Sequence, residues 1–190
     1  MAFEFIPTEL DGVVIIKNHQ FLDNRGNYEK HYERNIFLEN KIDFIVNESS
    51  DLYTKKGSIR GLHFQTVESQ AKLVRALKGA IFDVIIDLRF TSKTFGKHYS
   101  IVLEEQSGIS LFIPEGFAHG FLALKDDTIF SYDCSGRYLP EYCGGILWND
   151  PSFDIKWPLK EYGIKELIVS DKDQSWPIFD KLNLINHSKV

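Results

Sequence analysis

The sequence lacks a long apolar run, a cluster of basic residues and any internal repeat. No apolar stretch approaches the ~20 residues that a membrane-spanning helix needs. The net charge of the 190 residues is -5, which argues against double-stranded nucleic acid as a partner, although a few placed cations would suffice for a small anionic substrate. With no linker or low-complexity segment, we expect one domain over residues 1–190, with a frayed tail from about residue 186.

Cysteine is also scarce. The chain has two, Cys134 and Cys143, and residues 1–5 do not form the charged region and apolar core of a signal peptide. Disulfides are rare in the cytosol, where thiols are kept reduced. We therefore expect a cytoplasmic protein in which these two cysteines do not form a disulfide.

Helical periodicity is sparse, whereas aromatic residues make up 14% of the chain. Aromatic and β-branched residues suit half-buried strands, and short runs of them separated by turn signals predict an antiparallel sandwich or barrel. The predicted strands are 12–17, 27–32, 43–47, 72–78, 80–88, 98–103, 110–113, 120–123 and 128–133. Two short helices are predicted, at 34–40 and from Ser175-Trp176-Pro177 into 178–184. The expected fold class is therefore all-β with a few short helices, mainly near the C-terminus.

One predicted strand, 80–88, has two different faces. Phe82, Val84 and Ile86 form a wholly apolar face, whereas the other face carries Asp83 and Asp87 among apolar residues. In a barrel such a mixed face is suited to line a polar cavity. The alternative is an ordinary solvated face.

Arg60 and His63 lie three positions apart in the stretch 55–65. Successive side chains of a strand point to opposite faces, so regular alternation would separate these two residues. A bend or bulge at Gly61 would instead bring both into one cavity. The alternative is an ordinary strand with one buried, hydrogen-bonded histidine.

A second histidine, His119, lies between Gly116 and Gly120, so a metal site has to be considered. Small metal-binding barrels usually offer a His-x-His pair, but Gln65 stands where the second imidazole should follow His63. Glutamine is a poor ligand for zinc or iron. We therefore expect no metal.

A site without a metal needs fixed cations or hydrogen-bond donors to stabilise negative charge. Lys72, Arg60 and Arg25 can supply them. Imidazole is suited to general-base catalysis near neutral pH, which makes His63 the candidate base, and Tyr132 could return a proton from the opposite side. This combination suits proton abstraction next to a carbonyl with stabilisation of the enolate.

Several sequence blocks, in the right order, resemble the dTDP-4-dehydrorhamnose 3,5-epimerase family over about residues 3–180. The blocks are DNRG (23–26), RGLHFQ (60–65), QAKLV (70–74), DVIIDLR (83–89), TFG (94–96), IPEGFAHGF (113–121), LWNDP (147–151) and SDKD (170–173). The resemblance implies a jelly-roll (cupin-type) β-barrel that acts as a homodimer without metal or organic cofactor. It implies epimerisation of a nucleotide-diphosphate 4-keto-6-deoxysugar.

The same resemblance implies roles for individual residues. By motif match, His63 is the base and Asp173 its dyad partner, Tyr132 is the proton donor, and Lys72 lies beside the 4-keto oxygen. The implied substrate-binding residues are Arg25, Arg60, His119, Tyr138, Lys172, Asn47 and Gln65. The N-terminal segment, with Arg25, is expected to serve the neighbouring subunit's site.

Departures from the family pattern lie at the nucleotide end. Asn27 and Lys30 stand where an aromatic residue and a glutamate are usual, and Cys143 stands where a glutamate is common. The nucleotide base and the sugar therefore stay open. The alternatives are a 3-only or 5-only epimerase acting on a CDP or GDP sugar, a 3,4-ketoisomerase, and a non-catalytic binding module on the same fold.

Overall fold

A computed structural model describes residues 3–179, and we number its strands in chain order. The first sheet has six strands in the spatial order β1 (Glu4–Pro7), β2 (Val14–Lys17), β10 (Ile109–Ile113), β7 (Lys72–Lys78), β12 (Thr128–Cys134) and β5 (Glu48–Thr54). The second runs β13 (Cys143–Gly145), β6 (Ser58–Gln65), β11 (Phe117–Ala123), β8 (Ala80–Asp87) and β9 (His98–Glu104), with β14 (Ile168–Val169) also beside β6. A separate hairpin pairs β3 (His19–Asp23) with β4 (Gly26–Lys30).

Helical structure is limited in the described residues. It consists of α1 (Arg34–Glu39), α2 (Asp171–Gln174) and one 3-10 turn at Pro140–Tyr142. None of these helices has the length and apolar character needed to cross a membrane. The pairing of β14 with β6 is parallel, and the other strand pairs of the described part are antiparallel.

The core lies between the two large sheets. Buried apolar residues from both sheets, among them Val74, Ile81, Ile85 and Phe130, form one cluster. The outer face of β8 is buried as well, because Val84 and Ile86 pack against residues of the segment that follows β13. The predicted all-β, jelly-roll fold is confirmed.

The predicted strands all overlap observed ones except 43–47, which is wrong. In that segment Phe44 is fully buried in an aromatic cluster with Tyr32 and Phe37, and its carbonyl accepts a hydrogen bond from the Tyr32 hydroxyl. Because the side chains hold this segment in place, its extended backbone does not need strand pairing in a sheet. Pairing with β12 begins only at Glu48, so the apolar run precedes the strand. The pattern missed β1, β3, β5, β13 and β14.

The helix predicted to start at Ser175 is wrong for the described residues. The helix in this region is α2, whose start is capped by the Ser170 side chain, and it ends before Ser175. The Pro177 carbonyl then accepts the N–H of Leu147, which holds the chain in an extended course. Positions 180–184 of the predicted helix, and the predicted frayed tail from 186, lie outside the described residues. The helix predicted at 34–40 is confirmed as α1.

Candidate active site

A cavity of about 550 Å³ is lined by residues of both large sheets and of the segment at α2. Its lining contains most of the residues that the sequence singled out: His63, Lys72, Tyr132, Asp173, Arg60, His119, Tyr138, Lys172 and Gln65. Arg25 and Asn47 are not part of that lining. The site therefore assembles residues that lie more than a hundred positions apart in the chain.

A register shift in β6 explains how Arg60 and His63 reach the same cavity. His63 pairs with His119 and Arg60 with Phe121, so two residues of β6, Gly61 and Leu62, lie opposite one residue of β11. Gly61 has φ +123, and a Cβ there would lie 2.5 Å from the Cα of Gly120. Only glycine fits this close approach of two backbones. This irregularity is the bend or bulge that one of the two sequence interpretations required at Gly61.

His63 is hydrogen-bonded to a buried carboxylate. Its Nε2 lies 2.6 Å from Oδ1 of Asp173, which is only 5% exposed. The same oxygen accepts the indole N–H of Trp176 at 3.1 Å, and Oδ2 accepts the backbone N–H of Gly61 at 3.3 Å. Burial alone would raise the pKa of Asp173, but these three donors outweigh it and lower that pKa. A carboxylate that stays ionised orients the imidazole and stabilises its protonated form.

Tyr132 and Lys72 come from the sheet opposite His63. In the β7–β12 ladder, Tyr132 pairs with Val74 and Lys72 pairs with Cys134, which places both side chains on one face. Burial raises the pKa of Tyr132, the nearby Cys134 thiol raises it further, and a hydrogen bond with Ser50 lowers it only in part. The phenol is therefore neutral at physiological pH.

Three cations of the cavity lack a carboxylate partner within residues 3–179. Lys72 Nζ contacts Gln70 Oε1 at 3.1 Å and Cys134 Sγ at 3.7 Å, and it lies 6.0 Å from the Tyr132 ring centre. Arg60 and Lys172 form no ion pair in this part of the chain. Their charge is available to an anionic ligand or to a developing oxyanion.

A second imidazole–carboxylate pair forms another part of the wall. His119 Nε2 lies 2.7 Å from Oδ1 of Asp83, and both residues are buried. Asp83 Oδ2 has no hydrogen-bond partner among the described residues. Asp83 belongs to the mixed face of β8, which faces the interior as one of the two sequence interpretations expected.

The remaining predicted residues lie at the edge of the cavity or beyond it. Gln65 is buried, and its amide is occupied by backbone groups of residues 67, 68, 137 and 139. Tyr138 is 57% exposed at the rim. Asn47 is exposed and bonds the Cys134 carbonyl through its backbone N–H. The Arg25 side chain is 83% exposed at the tip of the β3–β4 hairpin, where it pairs with Asp23.

Sequence reasoning missed two residues that line the cavity, Glu48 and Cys134, and one that lies behind its wall, Trp176. Trp176 was interpreted only as part of a helix start, although it contacts the Asp173 carboxylate. Glu48 lines the cavity and accepts the N–H of Tyr138, and it was hidden because the strand was predicted one segment too early. Cys134 lines the cavity beside Lys72 and, like Cys143, is a free thiol. In the described part of the chain, no three His, Cys, Asp or Glu side chains are grouped as metal ligands would be.

Comparison with known proteins identifies a family that this chain matches over most of its length. The family model described as dTDP-4-dehydrorhamnose 3,5-epimerase matches residues 7–181. The dTDP-4-dehydrorhamnose 3,5-epimerase of Methanothermobacter thermautotrophicus is 44% identical over 174 residues, which cover 92% of this chain and 93% of that protein.

Solved structures agree. The dTDP-6-deoxy-D-glucose-3,5-epimerase of Legionella pneumophila, in complex with dTDP-4-keto-L-rhamnose, has a TM-score of 0.88 at 33% identity and covers 97% of this chain and 95% of its own. The 3'-monoepimerase ChmJ of Streptomyces bikiniensis, in complex with dTDP-quinovose, has a TM-score of 0.86 at 26% identity and covers 95% of this chain and 90% of its own.

Proposed function

We propose, because the chain belongs to the dTDP-4-dehydrorhamnose 3,5-epimerase family, that it converts dTDP-4-dehydro-6-deoxyglucose to dTDP-4-dehydrorhamnose by inverting C3 and C5. One observation carries the proposal. The His63–Asp173 pair lines one cavity with Tyr132 and Lys72, which belong to the opposite sheet.

The proposed mechanism is a proton transfer without change of oxidation state. His63 takes the proton from the carbon next to the C4 ketone, and the electron pair moves to the C4 oxygen. Lys72 stabilises the resulting enolate, since its nitrogen is unpaired by any described carboxylate. Tyr132 protonates the other face of the carbon as the ketone re-forms, and exchange with solvent restores both side chains.

Substrate binding is proposed to use the remaining charged and aromatic groups. Arg60 and Lys172, whose charges are uncompensated in the described chain, suit the diphosphate, and Tyr138 at the rim suits stacking on the nucleotide base. His119, oriented by Asp83, suits a sugar contact. Asn47 and Gln65 stay predicted contacts, although the Gln65 amide would have to give up a backbone partner to bind substrate.

A homodimer is part of the proposal. The β3–β4 hairpin exposes Phe21, Leu22 and Tyr28 by 57%, 77% and 57%, and a second copy of the chain would cover such residues. Arg25, at the tip of that hairpin, pairs with Asp23 but keeps its side chain 83% exposed, and it suits a contact to the neighbour's nucleotide diphosphate.

The test is incubation with dTDP-4-dehydro-6-deoxyglucose in deuterated water. We expect deuterium at C3 and C5, together with the NMR signals of the inverted sugar. His63→Ala should abolish the exchange, whereas His98→Ala, a histidine outside the cavity lining, should leave it unchanged. Tyr132→Phe should lower the yield of inverted product more than the exchange itself. The absence of exchange in the wild-type protein would overturn the proposal.

A second candidate is an epimerase that inverts one carbon, or that acts on another nucleotide. It is favoured by the departures at Asn27, Lys30 and Cys143, of which Cys143 lines the cavity and Lys30 pairs with Glu33 at 2.8 Å. In the same experiment this enzyme would place deuterium at C3 or C5 alone, or would exchange only with a CDP or GDP sugar. A ketoisomerase would be distinguished by a carbonyl at C3 in the product.

A further inference from the structure

The Asp173 carboxylate has a partner that the proposed mechanism does not yet use. The indole N–H of Trp176 donates to Oδ1 at 3.1 Å, the same oxygen that meets His63 Nε2 at 2.6 Å. The indole ring also stands edge-on to the His63 imidazole, with 6.2 Å between ring centres. Trp176 therefore contacts both members of the dyad.

The fold provides a fitted space for this indole. Gly145 of β13 pairs directly with His63 of β6, and a Cβ on Gly145 would collide with the Trp176 ring. The space that a side chain at position 145 would fill, beside His63, is thus occupied by the indole of Trp176. Trp176 lies two residues beyond the end of α2, so that the carboxylate and its indole partner are held on one short segment.

We propose that Trp176 is a positioning residue, whose indole N–H holds the Asp173 carboxylate in the orientation in which Oδ1 meets His63. This inference rests on the proposed function of His63 as base. Without the indole donor, the carboxylate keeps Gly61 N–H on one oxygen but loses the second anchor on the other.

The matched test compares Trp176→Phe with Trp157→Phe. Phenylalanine at 176 keeps one aromatic ring but removes the N–H together with the second ring of the indole, which stands edge-on to His63 and 5.5 Å from the Lys172 ammonium. Trp157 is similarly half-buried and also donates its indole N–H, but to the Trp148 carbonyl away from the cavity. The control therefore loses a tryptophan hydrogen bond of similar length outside the site.

We expect Trp176→Phe to lower kcat for deuterium exchange about tenfold, the size expected for a lost hydrogen bond to a charged group, with KM changed less than about twofold. Gly145→Ala, which displaces the indole, should reproduce this loss of kcat at nearly unchanged KM. Trp157→Phe should change neither constant. Wild-type kcat in Trp176→Phe, or an equal loss of kcat in Trp157→Phe, would overturn the inference.

A measurement that does not depend on activity covers a variant that fails to fold. The chain has three tryptophans, so the indole N–H signals of the folded protein are few and can be assigned by NMR. Asp173→Asn should shift the Trp176 signal and leave that of Trp157 in place, and an unchanged Trp176 signal would contradict the hydrogen bond. If the wild-type protein shows no exchange, the proposed function fails, whereas this shift still reports on the Trp176 contact.

Discussion

Replacing Asp173 by asparagine should disable the proposed base with little change in the shape of the site. The carboxylate accepts hydrogen bonds from three donors: His63 at 2.6 Å, Trp176 at 3.1 Å and the Gly61 N–H at 3.3 Å. An amide has a single oxygen. If it faces His63 and Trp176, its NH2 group meets the N–H of Gly61. If it faces Gly61, the NH2 group meets His63 and selects the tautomer with the proton on Nδ1, which cannot accept another.

The expected loss follows from these contacts. A hydrogen bond to a charged group contributes about 1.5–3 kcal/mol, and each 1.36 kcal/mol in the barrier is about tenfold in rate. Solvent screens this carboxylate little, since Asp173 is 5% exposed. With the tautomer mismatch added, we expect kcat to fall by at least about a hundredfold.

The assay is the initial rate of deuterium incorporation at saturating substrate, with urea denaturation of the same samples. The control is Asp87→Asn, which removes the charge from a fully buried aspartate outside the cavity lining that is bonded to Arg89, Ser92 and Thr94. Breaking this buried pair should cost about 3–5 kcal/mol of stability and leave the kcat of the folded protein within about twofold. A tenth or more of wild-type kcat in Asp173→Asn would refute the reasoning, as would an equal loss of kcat in the control.

The pH dependence of stability checks the same carboxylate. Burial opposes ionisation, but the three donors hold the folded-state pKa of Asp173 below its ordinary value of 3.8. Its contribution to stability is therefore present above that ordinary value and is lost as pH falls through the lower folded-state pKa. The difference in unfolding free energy between wild type and Asp173→Asn should narrow below about pH 4. A difference that stays constant into this range would contradict the assigned direction.

Three further predictions concern other parts of the site. Gly61→Ala should destabilise the protein by about 2–5 kcal/mol in urea denaturation, because alanine is strained at this positive φ and its Cβ would lie 2.5 Å from the Gly120 Cα. Stability near that of wild type would mean that the backbone at Gly61 relaxes freely. Lys72→Met should lower kcat, measured by single turnover, by about 10²–10³-fold. The free energy of unfolding should change by less than about 1 kcal/mol, since no described ion pair of Lys72 is lost. A loss of stability as large as the loss in activation free energy would point to a structural role. Burial raises the pKa of Tyr132 above its ordinary value of 10.0, so ionisation of the phenol should cause no fall in the epimerisation rate between about pH 8 and 10. A decline of the rate centred in that range, and absent from the deuterium exchange catalysed by Tyr132→Phe, would count against Tyr132 as the proton donor.

Local pattern was enough to predict much of the framework. Strand 72–78 was predicted with the observed bounds, and one of the two interpretations of the mixed face of 80–88 placed Asp83 in the interior, where it is found. A bend or bulge at Gly61 was one of two interpretations of the sequence, since only such an irregularity lets Arg60 and His63, at odd spacing, share a face. These features depend on neighbours in sequence, which a single chain displays.

Features that depend on distant segments were out of reach of the pattern. Phe44 was interpreted as a strand residue because its burial comes from an aromatic cluster and not from sheet pairing. Trp176 carries no sequence signal for the site, since the gap it fills exists only where Gly145 passes His63. The pairing of His63 with Asp173 came from the family resemblance alone, because no local periodicity links residues 110 positions apart.

The short strip that carries β14, α2 and Trp176 has a consequence for how the enzyme can fail. It is tied to β6 by a two-residue parallel ladder and by the bonds around Asp173, whereas the two large sheets hold each other through an extensive core. A substitution that loosens only this strip would leave the two large sheets folded, but His63 would lose its hydrogen bond to the Asp173 carboxylate. Such a protein would keep its secondary structure and its melting temperature but would lose its catalytic activity. The effect of substitutions in this strip should therefore be measured by turnover before it is measured by thermal unfolding.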